Sequence, residues 1–152
     1  MMRGEDPDDP GRGGFWFTPG GGLDEGESVE QGIRRELEEE TGYAADHIGP
    51  VVLEQRNQFP LLGEVWLQDE TMHLIDVGEA FEPDPAGLED LEASVITGYR
   101  WLSVHDLRTS DEPVYPTCLG DLLEEIDANG PPSPPWWRDL TYNTEDGLTD
   151  GE

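Results

Sequence analysis

The sequence predicts a single mixed domain of the α/β or α+β class. Two amphipathic helices with clear end signals, one from Ser28 to Gly42 and one from Cys118 to Gly130, alternate with short aromatic and β-branched runs. A length of 152 residues suits one domain with its own core, and no internal repeat divides it.

The elements follow in order. Residues 1–14 ("MMRGEDPDDPGRGG") are rich in Asp, Pro, Gly and Arg and read as loop. Phe15–Pro19 ("FWFTP") reads as a short aromatic strand halted by proline. Gly20, Gly21 and Gly22 suit unusual backbone angles or a close approach by another group. Ser28, with Gln31 three residues on, forms a capping box, and Gly42 supplies a left-handed stop. A strand is expected around Val51–Gln58, and more strand within "EVWLQDETMHLIDVGEAFE", broken near Asp69. The stretch "AGLEDLEASVITGYRWLSVHDLRT" is expected to hold an exposed segment, a strand around Gly98–Leu102 and a turn into a short helix. In the second amphipathic helix Leu119, Leu122, Leu123 and Ile126 share one face. Residues 129–152 are proline-rich and then acidic, a tail rather than a domain. The expected organisation is a loop-like segment 1–14, a folded domain 15–128 and a tail 129–152.

Composition narrows the function. Thirty-six acidic residues face eight arginines and no lysine, a formal net charge of -28. Such a field repels nucleic acid and anionic membranes, and repels a free polyphosphate unless a cation bridges it. It also suits a salty cytoplasm, an expectation that stability rises towards molar salt. Cys118 is the single cysteine, which excludes an intrachain disulfide and a thiolate zinc cluster. No apolar run approaches the roughly 20 residues of a membrane span, and the N-terminus lacks a signal-peptide h-region, so cytoplasm is the expected location.

The first helix carries the chemistry. At about 100° per residue, Val29, Ile33 and Leu37 form an apolar stripe, while Gln31, Arg34 and Glu38 fall opposite and Glu30 and Glu38 are solvated charges. Glu36 and Glu40 lie within roughly 60° of that stripe, with Glu39 on the flank. Like charges at i and i+4 on a core-facing side repel and dehydrate at a cost. A bound cation removes both objections, and carboxylates from adjacent turns are hard ligands suited to Mg²⁺ or Mn²⁺. Carbonyls of the glycine loop can reach the same ion, and its N–H groups can meet a phosphate. Glu27 and Arg35 are opposite charges placed to tie loop to helix.

These residues carry a resemblance. Gly21, five residues, Glu27, seven residues, Arg35-Glu36-Leu37, one residue, Glu39-Glu40, one residue, then Gly42 resembles the Nudix box of MutT-like hydrolases; Tyr43 stands where a bulky aliphatic is usual. "WFTPGG" before the box and "RWLSVHDL" (Arg100–Leu107) beyond it are also similar to the family, so the resemblance runs roughly from Phe15 to Asp127.

The resemblance implies a Nudix fold, an α-β-α sandwich around a mixed sheet. It implies a Mg²⁺- or Mn²⁺-dependent hydrolase that cleaves the diphosphate linkage of a nucleoside diphosphate joined to another moiety. The alternative is a Nudix-like module that binds nucleotide with little or no turnover, or a truncated relic. Carried over by position, Glu36, Glu39 and Glu40 are the metal ligands and catalytic residues, with the Gly20 carbonyl joining them and Glu36 a candidate general base. Gly21, Glu27, Arg35 and Gly42 are structural. The family often adds a glutamate from a later loop; Glu92 is the first choice, with Glu89 and Glu70 in reserve. Phe15, Trp16, Phe17, Phe59 and Trp66 are suited to stacking a base or to the core, the core being the commoner use. His73 fits packing or solvation, and His47 and His105 carry no pattern. The family also carries one or two strands ahead of the aromatic segment. With residues 1–14 read as loop, the expectation is an N-terminally truncated domain with an unpaired sheet edge, stabilised by restoring upstream residues. Substrate identity and oligomeric state are not legible.

Overall fold

The computed structural model describes residues 1–61 and 64–141. It is a mixed α/β fold with two mixed sheets and four α-helices. The described residues divide into two compact units, 1–48 with 75–130, and 49–61 and 64–74 with 131–141.

The first unit is built on a four-stranded sheet. Its strands are β1 (Met2–Glu5), β2 (Gly14–Phe17), β5 (Ile96–Tyr99) and β6 (Val114–Tyr115), in the order β5-β1-β2-β6. β1 runs antiparallel to both β2 and β5, and β6 runs parallel to β2. Four helices complete the unit: α1 (Val29–Thr41), α2 (Asp90–Val95), α3 (Val104–Thr109) and α4 (Leu119–Asn129). The buried apolar side chains here are Met2, Ala45, Leu107, Leu119 and Leu122.

Two expectations are corrected at the N-terminus. Residues 1–14 are not loop throughout, and a strand ahead of the aromatic segment is present: β1 lies inside the sheet, with Met2 fully buried. The local signal is weak because partners distant in sequence make the strand. Gly4 faces Phe15 across the ladder, where a Cβ would come 2.9 Å from the Phe15 ring. Arg3 donates from Nε to Glu112 Oε2 at 2.8 Å and from Nη1 to Glu5 at 2.6 Å and Thr97 at 2.9 Å. Phe15 and Phe17 meet at 5.5 Å between ring centroids, and Phe15 also meets Tyr115 at 6.2 Å.

The second unit holds β3 (Val51–Leu61), β4 (Glu64–His73) and β7 (Trp136–Leu140), in the order β4-β3-β7. β4 pairs antiparallel with β3, and β7 pairs parallel with it. Val52 and Leu53 are its buried apolar side chains. Strand β4 is not broken near Asp69. That carboxylate sits opposite Arg56 and accepts from its Nε at 2.6 Å and Nη2 at 2.8 Å, a cross-strand ion pair that suits a ladder. The tail reading of 129–152 is corrected as well, since Trp136–Leu140 pair with β3; residues 142–152 lie outside the described part. Between the expected elements, α2 occupies the segment read as exposed, and the strand expected at Gly98–Leu102 lies earlier, as β5 at Ile96–Tyr99.

Candidate metal centre

Helix α1 begins and ends where its local chemistry dictates. Ser28 Oγ accepts from the Gln31 N–H at 3.2 Å, while the Ser28 N–H donates to Gln31 Oε1 at 2.9 Å. At the other end Gly42 takes a left-handed φ of 73° and its N–H donates to the Glu38 carbonyl at 2.8 Å.

The buried side of α1 corrects the wheel. Val29 is exposed, Ile33 and Leu37 are half-buried, and the buried residues are Gly32, Glu36, Glu40 and Thr41. The cause is the glycine loop, which folds back along the line 32-36-40. Leu23 and Glu27 lie over Gly32, where a Cβ would collide with the Leu23 side chain. A Cβ on Gly21 would run into the Glu36 carboxylate. The Gly20 N–H, at a φ of 141°, donates to Glu40 Oε2 at 2.7 Å. Gly20 needs glycine for its backbone angle, and a side chain at Gly21 would push the Glu36 carboxylate out of its place.

One ion pair ties the loop down. Glu27 takes Arg35 in a two-point grip, Nε on Oε1 at 2.9 Å and Nη2 on Oε2 at 3.0 Å, and also accepts from the Asp24 N–H at 3.0 Å. Arg35 Nη2 donates to the Gly22 carbonyl at 3.0 Å. The Arg35 hydrogen bonds, then the Asp24 N–H, hold the Glu27 carboxyl below the usual range, and Glu27 with Glu36 holds the guanidinium charged. Outside the helix face, Arg34 fastens the segment after α1, donating to the carbonyls of Ala45 and Asp46.

Glu36, Glu40 and Glu92 converge, one carboxylate oxygen of each lying within 4.8 Å of the others. Glu36 is 8% and Glu40 3% exposed. Burial, partly offset by the Gly20 N–H and reinforced by Glu36, Glu92 and Glu39, pushes the Glu40 carboxyl up to about 7. The positive charge nearby is Arg35, whose Nη1 reaches Glu36 at 2.8 Å and Glu39 at 3.3 Å. A cavity of about 300 Å³ opens beside the cluster, lined by Gly22, Arg35, Glu36, Glu39, Glu89 and Glu92 among others.

Glu92 arrives by a device that the sequence reading did not identify. Helix α2 is capped by Glu89, and Glu92 Oε2 accepts the Glu89 N–H at 3.0 Å in a reciprocal capping box. The loop before it is pinned to the end of α1. The Asp84 N–H donates to the Thr41 carbonyl at 2.9 Å, and a Cβ on Gly87 would lie 2.7 Å from Glu39 Cα. Tyr99 is a further residue missed: its hydroxyl donates to the Glu40 carbonyl at 2.7 Å, joining β5 to α1. Burial, then Glu40 and Glu92, raise the Tyr99 hydroxyl.

The remaining sequence candidates fall elsewhere. Glu39 lines the cavity but stands outside the three-oxygen cluster, its side chain 42% exposed. The Gly20 contact to the cluster is made by its N–H. Glu89 is on the cavity wall, and Glu70 is on β4, where Gln55 Nε2 donates to it at 2.7 Å. His73 Nδ1 lies 2.9 Å from the Gly49 carbonyl.

Comparison with known proteins adds the decisive observation: a family model described as the NUDIX domain matches residues 1–119. The chain belongs to the Nudix family. No curated protein and no solved structure matches it. Nudix hydrolases act in general on nucleoside diphosphate derivatives and generally use divalent cations such as Mg²⁺. The match begins at residue 1, so it takes in the β1 segment as well as the Nudix box. No helix among the described residues is long and apolar enough to cross a membrane.

The Nudix cluster fits a divalent cation. Its donors are hard oxygens, two of its three carboxylates are nearly sealed from water, and among the described residues Arg35 is the cation hydrogen-bonded to the cluster, through Glu36 and not through Glu40 or Glu92.

Proposed function

We propose that the protein is a Mg²⁺- or Mn²⁺-dependent Nudix hydrolase that cleaves the diphosphate linkage of a nucleoside diphosphate joined to another moiety. The observation that carries this reading is the convergence of Glu36 and Glu40, from the Nudix helix, with Glu92 from a separate element.

Glu36, Glu40 and Glu92 would hold the metal, and the Gly20 carbonyl is a further candidate ligand. A divalent cation there would supply the positive charge that a chain of net charge -28 lacks for a diphosphate and would make an attacking water more acidic. Glu39 is the box carboxylate left outside the cluster yet facing the cavity, and we assign it to accept the proton of the attacking water. Arg35 is held by Glu27, Gly22 and Glu36, so it fixes the loop instead of reaching for substrate. Glu27, Arg35, Gly21 and Gly42 thus act through the carboxylates' positions, and Glu89 acts through Glu92. The location expected for such an enzyme is the cytoplasm.

The test is product release from nucleotide sugars, ADP-ribose, dinucleoside polyphosphates and nucleoside triphosphates, with Mg²⁺ and after chelation. Turnover of a diphosphate-linked substrate that chelation abolishes is the expected result. Silence across that panel in a folded sample that binds Mg²⁺ would favour a nucleotide-binding module without turnover.

A further inference from the structure

We infer that Tyr99 is a positioning residue of the metal centre, its hydroxyl fixing where Glu92 stands relative to Glu40. The inference deepens the metal-dependent reading above and rests on it.

Two of the three converging carboxylates, Glu36 and Glu40, sit one turn apart on α1, so the helix itself sets their spacing. Glu92 comes from α2, a helix of six residues, too short to hold its own place. Its position has to come from what fastens the chain on either side of it. Ahead of α2 the chain is fastened to the end of α1 and the residues just past it. Tyr43 stacks on Phe81 at 4.8 Å between ring centroids, the Asp84 N–H donates to the Thr41 carbonyl at 2.9 Å, and Gly87 lies against the Glu39 backbone. Behind α2 the tie is made by the Tyr99 hydroxyl, which donates to the Glu40 carbonyl at 2.7 Å.

Both ends of that last tie are firm. The Glu40 carbonyl is among the last of α1, which find no partner within the helix, and it belongs to the residue that carries a candidate ligand. Tyr99 stands opposite the fully buried Met2 in the β1–β5 ladder, and the next N–H, that of Arg100, donates to the Met1 carbonyl at 3.0 Å. α2 ends at Val95 and β5 begins at Ile96, whose N–H donates to the Glu92 carbonyl, so no loop separates Glu92 from the strand that holds Tyr99. Without the hydroxyl the forward fastenings remain and α2 stays beside α1, but it can turn about them. The Glu40–Glu92 spacing is then no longer set in advance, and an ion that needs both carboxylates binds less tightly.

Tyr99→Phe removes the hydroxyl and leaves the ring. The probe is Mn²⁺, titrated into the full chain and followed by electron paramagnetic resonance, with the melting temperature of the metal-free chain measured beside it. Mn²⁺ affinity should fall by roughly 10-fold and the spectrum of the bound ion should change. The metal-free melting temperature should fall by no more than about 4 °C. Thr109→Val is the control: it removes a hydroxyl that likewise donates to a backbone carbonyl, that of His105 at 2.8 Å, within α3, which gives nothing to the cluster. It should keep the parent's affinity and spectrum. A Tyr99→Phe chain that binds Mn²⁺ as the parent does, or a Thr109→Val chain that loses as much affinity, would overturn the positioning role alone. A parent chain that takes up no Mn²⁺ would overturn the metal-dependent reading together with it.

Discussion

Carboxylates in two parts of this molecule share one chemistry and meet opposite fates. On the β3–β4 hairpin Asp69 is exposed and gripped at two points by Arg56, and in α4 Asp121 and Glu124 are exposed and share Arg108, each at 2.6 Å. At the Nudix helix Glu36, Glu40 and Glu92 are drawn together, two of them buried, with one guanidinium touching one of them. Exposed acids that each have an arginine explain themselves. Buried acids pressed together without enough positive charge do not, unless a cation comes from outside. The contrast is between satisfied charge and charge held in waiting, and it can be broken at several points.

The largest effect is expected at Glu39. Glu39→Gln keeps the shape and removes the proton acceptor, and turnover should fall by about 10²–10⁴-fold with Mg²⁺ binding and the melting temperature nearly unchanged. Measured by kinetics and metal titration on the same sample, retained turnover would move the proton transfer to another residue. Loss of binding in step with turnover would make Glu39 a ligand instead.

Next comes the route by which Glu92 reaches the cluster. Glu92→Gln should weaken Mg²⁺ binding by roughly tenfold or more, about 1.4 kcal/mol per factor of ten. Gly87→Ala leaves every carboxylate in place but drives a methyl group against the Glu39 backbone, at 2.7 Å from Cα, with a cost on the order of 1–3 kcal/mol in stability. If the loop is what delivers Glu92, this variant should also bind Mg²⁺ more weakly. Gly22→Ala, which adds its methyl group to open space, should be milder on both counts. Equal Mg²⁺ affinity in Gly87→Ala and the parent chain would separate the loop from the cluster.

These positions also show what the sequence could reveal. The boundaries of α1 were legible because Ser28, Gln31 and Gly42 act within a turn of one another. The Glu27–Arg35 pairing was legible for a similar reason, as opposite charges flanking a glycine loop. The buried face of α1 was not, because the loop and not the apolar stripe decides it: Leu23, Gly21 and Gly20 lie over Gly32, Glu36 and Glu40. β1 escaped because Met2 and Gly4 acquire meaning only opposite Phe17, Tyr99 and Phe15. α2 escaped because its cap is a glutamate, outside the usual Ser, Thr, Asp and Asn. β7 was hidden by the prolines before it, which composition assigns to a tail.

A smaller effect separates the buried acids by pH. The Glu40 carboxyl rises from 4.5 to about 7 on folding without metal, so the folded chain favours its neutral form. That contribution to stability is complete below 4.5 and is lost as pH rises towards 7. Glu27, Glu112 and Asp69 have the opposite sign, their carboxyls being held low by arginine hydrogen bonds, and their contribution is lost as pH falls. The difference in melting temperature between the parent and Glu40→Gln, both with chelator, isolates the first term. It should move in favour of Glu40→Gln between pH 4.5 and 7, and Mg²⁺ should shrink the change. A difference that stays flat over that range would show that Glu40 is as well solvated as an ordinary carboxylate.

The smallest effect belongs to the satisfied side of the comparison. Arg56 and Asp69 form a well-shaped pair, at 2.6 and 2.8 Å, but both are substantially open to solvent, where screening and side-chain entropy consume most of the attraction. Asp69→Asn should therefore shift the melting temperature by no more than about 2 °C in low salt, and by less in molar salt as the Debye length falls to about 3 Å. The metal titration should be unchanged, since Asp69 takes no part in the Glu36–Glu40–Glu92 cluster. A large loss would mean that the pair does more than balance its own charges, and that the division between satisfied and waiting carboxylates is drawn in the wrong place. A small loss with intact Mg²⁺ binding would leave burial without enough cation as the property that sets the Nudix glutamates apart in so acidic a chain.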